Sequence, residues 1–351
     1  MTPLETTTEP AVASLHVSTP PHIRQKGEVP AIMLSVIAAL SPAFIGALFF
    51  FGIKALLLTI VCIAAAAATE RLICLAIKKP STAGDYSAVV TGMLLAFSLP
   101  PALPLWMGVL GSVFAVAVVK MAFGGLGNNF MNPALAGRAF LLVSYPAAMT
   151  HWSAPLHGTI HGLSHGLDGI SSATPLTYFK NALASGNFHP LDFQEALPVL
   201  WGGNVGGCVG ETSAVLLIVG ALYLWYKHII GLSIPALFIG TVFLLSWLFN
   251  GTGYFFTSEA LIVPFYQVLA GGLILGALFM ATDPVTTPIT SAGRIVFGIG
   301  CGALTFALRK WSGAAEGAGF AIILMNCCTP LIDKCVKPRR YGEVKKGERH
   351  F

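Results

Sequence analysis

Residues 29–77 read VPAIMLSVIAALSPAFIGALFFFGIKALLLTIVCIAAAAATERLICLAI, and the only charges in them are Lys54, Glu70 and Arg71. Gly52 divides the stretch into two blocks, 29–52 and 53–77, each long enough as a helix to cross ~30 Å of hydrocarbon. Two such blocks back to back describe a helical hairpin in a membrane. The rest of the chain repeats the pattern: 55% of its 351 residues are hydrophobic and 10% charged, against roughly 25% charged in a soluble domain. Further blocks run near 86–101, 103–123, 132–149, 209–226, 229–249, 260–281, 293–308 and 314–333. The fold class is therefore an all-α polytopic membrane protein of about ten transmembrane helices. A transmembrane barrel would alternate apolar and polar residues over segments of about ten, and no such alternation occurs. The net charge of +5 lies in tails and short loops, so a nucleic-acid surface is excluded.

Charge orients the chain. Arg24 and Lys26 precede the first block, and Lys334, Lys337, Arg339, Arg340, Lys345, Lys346 and Arg349 follow the last. Basic residues stay on the cytoplasmic side, so both termini are expected there, with lipid around the apolar faces. Residues 1–28 lack the apolar core of a cleavable signal and read as a cytoplasmic tail. Residues 29–149 form a first five-helix half and 209–333 a second, with 334–351 a basic cytoplasmic tail. The connection 150–208, with Lys180 as its one Lys or Arg, is expected outside, contributing little to helix packing. Asp85-Tyr-Ser-Ala-Val89 and Glu211-Thr-Ser-Ala-Val215 open two blocks on opposite faces, as two inverted halves would. Ala136-Gly137-Arg138 and Ala292-Gly293-Arg294 also repeat, but on one face.

Prolines 42, 100, 101, 104, 133, 146, 264, 284 and 330 interrupt or bound the blocks, and read either as tolerated kinks or as helices broken around a site. The segment 124–138, GGLGNNFMNPALAGR, favours a site. Its glycines let backbone approach a ligand, and Asn129 and Asn132 offer amide donors and acceptors. Acidic residues near the blocks are Glu70, Asp85, Glu211, Asp283, Glu316 and Asp333; most read as solvated caps, and Glu211 and Asp283 are retained because hydroxyls and bare carbonyls surround them. The seven cysteines form no metal-binding spacing. His157, His161 and His165 recur every four residues, but a glycine follows each, so the run reads as a polar loop. No metal site and no catalytic residue is assigned.

After the histidines comes Leu167-Asp-Gly-Ile-Ser-Ser-Ala-Thr-Pro-Leu-Thr177. Asp168, Ser171, Ala173 and Thr174 resemble the acceptor motif of flavin transferases, which join FMN through its phosphate to a threonine hydroxyl. With 127–138, Gly210-Glu-Thr-Ser213, Met280-Ala-Thr-Asp-Pro-Val285 and Glu316–Asn326 in matching order, the chain from about His22 resembles the D subunits of the Rnf complex, relatives of the B subunits of sodium-pumping NADH:quinone reductase. The resemblance implies a component of a ferredoxin:NAD oxidoreductase that couples electron transfer to export of Na⁺ or H⁺. It implies FMN as a phosphoester on Thr174, recognised through Asp168, Ser171 and Ala173, with Ser172 where the family usually has Gly. The implied partners are the other Rnf subunits, including a second FMN-bearing one, and a flavin transferase; ferredoxin and NAD are met only through the complex. In the quinone-reductase relatives the stretch matching Asn129 to Asn132 contributes to a non-covalent riboflavin site, for which Gly92 would supply an opposing wall. The rival readings are a cofactor-free solute channel or secondary transporter, and a structural scaffold.

Overall fold

The computed structural model describes residues 28–78, 82–153, 206–211, 213–249, 261–312 and 316–337, with short pieces at 176–177, 179–181, 197–198 and 200–202. The described residues are helical, without a strand. Helix α1 is Glu28–Phe51 and α2 is Ile53–Ala76, divided by Gly52 at φ 67°. Helix α3, Ser87–Phe97, stops ahead of Pro100 and Pro101. Helix α4, Leu105–Phe114, continues as a π-helix to Met121. Helix α5, Pro133–Ser144, has proline at its first position, where no N–H is needed. Helices α6, Ala214–Tyr226, and α7, Ser233–Leu248, follow. Helix α8, Ile262–Leu269, breaks by 65° at Gly271 and Gly272 into α9, Leu273–Met280, whose last five residues are π-helical. Helices α10, Ser291–Trp311, and α11, Ala318–Cys335, complete the order.

By length and composition α1, α2, α10 and α11 can each cross a membrane, and α8 with α9 makes a fifth, broken candidate. Five shorter apolar helices, α3, α4 with its π-extension, α5, α6 and α7, lie between them. The chain is thus a multi-pass membrane protein. Leucine, isoleucine, phenylalanine and tryptophan stand exposed along α1, α2, α6 and α10, as they must where lipid replaces water.

Lipid tails are as apolar as leucine, so these helices are held by close packing rather than by expulsion from water. Ala39, Ala43 and Ala47 form a fully buried stripe on α1 at four-residue spacing, and α6 packs on this helix. A Cβ on Gly220 of α6 would overlap the Ala39 carbonyl. Gly92 does the same for α3 and α2: a Cβ there would lie 2.7 Å from Ile63 Cα.

The two helix starts matched in the sequence are both local caps. Asp85 Oδ1 accepts from Ser87 N at 2.8 Å, and Ser213 Oγ from Leu216 N at 3.4 Å. A longer correspondence joins α3–α4–α5 with α8–α9–α10. In each, a short helix breaks, the next ends in a π-helix, and a polar turn leads to a capped helix carrying Ala-Gly-Arg.

The connection 150–208 departs from expectation where it is described. Leu176 and Phe179 are 3% and 2% exposed and pack with Leu200 against Ile262, Val263 and Tyr266 of α8. The Phe179 and Tyr266 rings stack at 5.3 Å, and Lys180 donates to the Ser312 carbonyl. Part of the loop is therefore docked on the bundle. Scattered apolar residues in a polar context gave no period to show it.

Candidate functional site

Both helix breaks line one cavity. Ser98, just past α3, faces it from one side and Gly271 and Gly272 from another, with Arg138, Glu211 and Glu316 between. Gly272 is at φ 63°, and a Cβ on it would overlap Glu211 Oε1, so glycine serves here both for the turn and for the close approach of a carboxylate. Glu211 is carried on a 3₁₀ turn, Val209–Glu211, fixed to the α3 break by Val209 N donating to Leu99 O at 3.0 Å. Its Oε2 accepts from Cys208 N at 3.4 Å, while Oε1 is buried without a partner.

Glu316, directly before α11, pairs through Oε2 with Arg138 of α5, and its Oε1 is also buried and unpartnered. Arg309 of α10, 5% exposed, donates to the carbonyls of Gln267, Ala270 (2.9 Å) and Gly271 (3.3 Å) and to Gln267 Oε1 (3.1 Å). A guanidinium thus satisfies the carbonyls that the end of α8 leaves without helical partners. The Cys208 sulfur and one carboxylate oxygen each from Glu211 and Glu316 lie within 4.8 Å of one another. The sequence singled out Glu211 but not its neighbours: Glu316 read as a solvated cap, and Cys208, Arg138 and Arg309 come from distant segments that only the fold assembles.

A second polar group is built at the start of α3. Lys120, in the π-stretch after α4, pairs with Glu70 of α2 at 2.9 Å, and each is 1% exposed. Lys120 also donates to Ser87 Oγ at 2.5 Å, Thr82 Oγ1 donates to Glu70 Oε1 at 2.5 Å, and Ser87 Oγ to Asp85 Oδ1 at 2.5 Å. Glu70 is therefore a buried ion-pair member and not a solvated cap. Asp283 accepts from Val285 N at 3.1 Å and Thr286 Oγ1 at 3.5 Å in the turn before α10, and burial pushes its carboxyl above the usual range against those two hydrogen bonds. Asp333 Oδ1 accepts from Ile289 N at 3.2 Å. Both serve as turn and cap groups.

Asn132 and Asn129 differ in use. Asn132 caps α5, its Oδ1 accepting from Ala134 N at 3.0 Å and Leu135 N at 3.3 Å, and its Nδ2 donates to Met280 O at 3.2 Å. Asn129 is 8% exposed with its Oδ1 buried and unpartnered. An acceptor in that state fits an imide N–H of a planar heterocycle. Gly92 faces the α2 backbone. Asp168, Ser171, Ala173, Thr174, His157, His161 and His165 lie outside the described residues.

Known proteins resemble the chain along nearly its whole length. The model of the NQR2, RnfD, RnfE family matches residues 16–342. The chain is 44% identical over 333 residues to the D subunit of the Na⁺-translocating ferredoxin:NAD⁺ oxidoreductase complex of Acetobacterium woodii, covering 95% of this chain and 96% of the relative. It is 44% identical over 327 residues to the D subunit of the proton-translocating ferredoxin:NAD⁺ oxidoreductase complex of Clostridium ljungdahlii, with 93% and 96% covered. The D subunit of the ion-translocating oxidoreductase complex of Stutzerimonas stutzeri is 39% identical over 339 residues, with 92% and 95% covered.

Proposed function

The chain belongs to the NQR2, RnfD, RnfE family, and from that premise we propose that it is the membrane-embedded D subunit of an ion-translocating ferredoxin:NAD oxidoreductase. It works with the other subunits of that complex and meets ferredoxin and NAD through them. The observation that carries this reading is near-complete coverage at 44% identity of two relatives bearing that description.

Ten helical segments thread the inner membrane, both termini lie in the cytoplasm, and residues 150–208 lie outside. Thr174 holds FMN as a phosphoester, placed there by a flavin transferase that reads Asp168, Ser171 and Ala173. A threonine hydroxyl needs an activating base or metal to react; the transferase supplies that, so this chain contributes an exposed acceptor. When bound, the flavin takes up and releases one or two electrons. What the chain adds is placement: Leu176, two residues on, is docked on the bundle and a Cβ on Gly271 would lie 2.8 Å from its Cδ2. Thr174 lies two residues before Leu176 in the sequence. A non-covalent riboflavin is proposed at Asn129, with Asn132 fixing the turn that presents it.

The test is direct. Denatured protein should fluoresce under ultraviolet light, Thr174→Ala should abolish the band, and Thr177→Ala should keep it. FMN found by mass spectrometry on Thr177 would refute the assignment, and a non-fluorescent wild-type chain would favour the cofactor-free transporter to which broken helices also belong. Asn129→Leu should keep the fluorescent band yet release less flavin on acid extraction.

A further inference from the structure

The cavity between the two helix breaks measures about 40 Å³. A water needs roughly 10–15 Å³ on this measure, so there is room for a few waters or one small ion and none for a flavin ring. Two carboxylate oxygens, Glu211 Oε1 and Glu316 Oε1, are buried at this site with no hydrogen-bond partner. A charged oxygen left unpaired inside the protein is costly unless something positive reaches it. Neither nearby arginine donates a hydrogen bond to these two oxygens. Arg138 pairs with the other oxygen of Glu316, and Arg309, itself 5% exposed with Nε unpartnered, spends its remaining nitrogens on the α8 end. Cys208, fully buried, brings its sulfur within 4.8 Å of both carboxylates.

We propose that this cavity binds one monovalent cation, a proton or Na⁺, between Glu211 Oε1 and Glu316 Oε1, and is a station on the translocation path. The proposal rests on the reading that the chain serves a cation-translocating complex. Two glutamates against two arginines make the empty site formally neutral. One added charge gives +1, which can leave again; a divalent ion would double the charge beside two guanidiniums at low dielectric. Oxygen ligands suit Na⁺ and protons alike, and relatives equally identical to this chain are described with one or the other. The station sits at the helix break, because Gly271 and Gly272 are the 65° bend between α8 and α9. Gly272 lies against Glu211 and its neighbour Gly271 against Leu176, two residues from the proposed flavin anchor.

The test uses the intact complex in membranes, with infrared difference spectra recorded as NaCl replaces choline chloride at fixed pH, and as pH is stepped without Na⁺. A Na⁺-induced carboxylate signal that is absent in Glu211→Gln assigns Na⁺. No Na⁺ signal, but a pH-step carboxyl signal absent in Glu211→Gln, assigns the proton; either result supports the station. Glu211→Asp, which keeps the charge on a shorter arm, should need about tenfold more cation for half the signal, or about 1.4 kcal/mol. Should Glu211→Gln fail to assemble, Glu316→Gln read the same way decides. Both signals surviving in these variants, or a response to Zn²⁺ or Ca²⁺ alone, overturns the proposal. Thr174→Ala should keep the infrared signal while losing fluorescence, so failure of the flavin reading shows separately.

Discussion

At the scale of single residues, the decisive fact about Lys120 and Glu70 is that each is buried to 1% exposure and held by the other. Removing one partner of a buried pair strands a charge and costs about 3–5 kcal/mol, whereas replacing both can be nearly neutral. Lys120→Met should therefore sharply lower the temperature at which the purified protein loses its monodisperse form, and Glu70→Leu added to it should recover most of the loss. Equal or additive losses would mean the pair is not coupled. Sequence could flag Glu70, because a carboxylate in an apolar block is conspicuous, but not its partner fifty positions away, since neither residue has a local signal that names the other. Asn132 and Asn129 show the same limit. One is consumed as a helix cap and the other keeps a free acceptor, yet in sequence they are equivalent amides beside glycines.

At the scale of elements, apolar blocks were legible, as were the prolines that end or start a helix, whereas Pro42 and Pro330 sit inside α1 and α11 without ending them. Every block drawn from the sequence contains helix among the described residues, and Pro100, Pro101, Pro133 and Gly52 fall at breaks or starts. The π-helices after α4 and within α9 were not legible, since they arise from packing and not from composition. Contact between α1 and α6 depends on small residues, and this gives a prediction. Gly220→Ala would place a methyl against the Ala39 carbonyl, part of a backbone that cannot turn aside, costing about 1–3 kcal/mol by overpacking. Gly240→Ala, in α7, meets nothing within 4 Å and should be neutral or slightly stabilising, as alanine is the better helix former. Thermal stability of the two variants in the same detergent checks the difference; equal stabilities would show that α1 and α6 do not pack this closely.

At the scale of the whole molecule, the question is which ends of the bundle share a side. Helix α10 has 21 residues, about 31 Å at 1.5 Å per residue, the thickness of the hydrocarbon. At its last turn Lys180 donates to the Ser312 carbonyl and Lys310 to Phe249 O at 3.2 Å, so the 150–208 connection and the end of α7 meet there. Before its first turn Asp333, near the end of α11, accepts from Ile289 N, so the basic C-terminal tail leaves from the opposite end. This separation is geometric, while the expected side is electrostatic: seven Lys or Arg residues from 334 onward stand against Lys180 alone in 150–208, and the positive-inside rule predicts a cytoplasmic tail from that imbalance. A reporter active only outside the cytoplasm should therefore be silent when fused after Lys346 and active when fused within 182–196. Activity in both fusions would contradict the geometry of α10. The reverse pattern would preserve that geometry and overturn the charge argument, and with it the exported flavin.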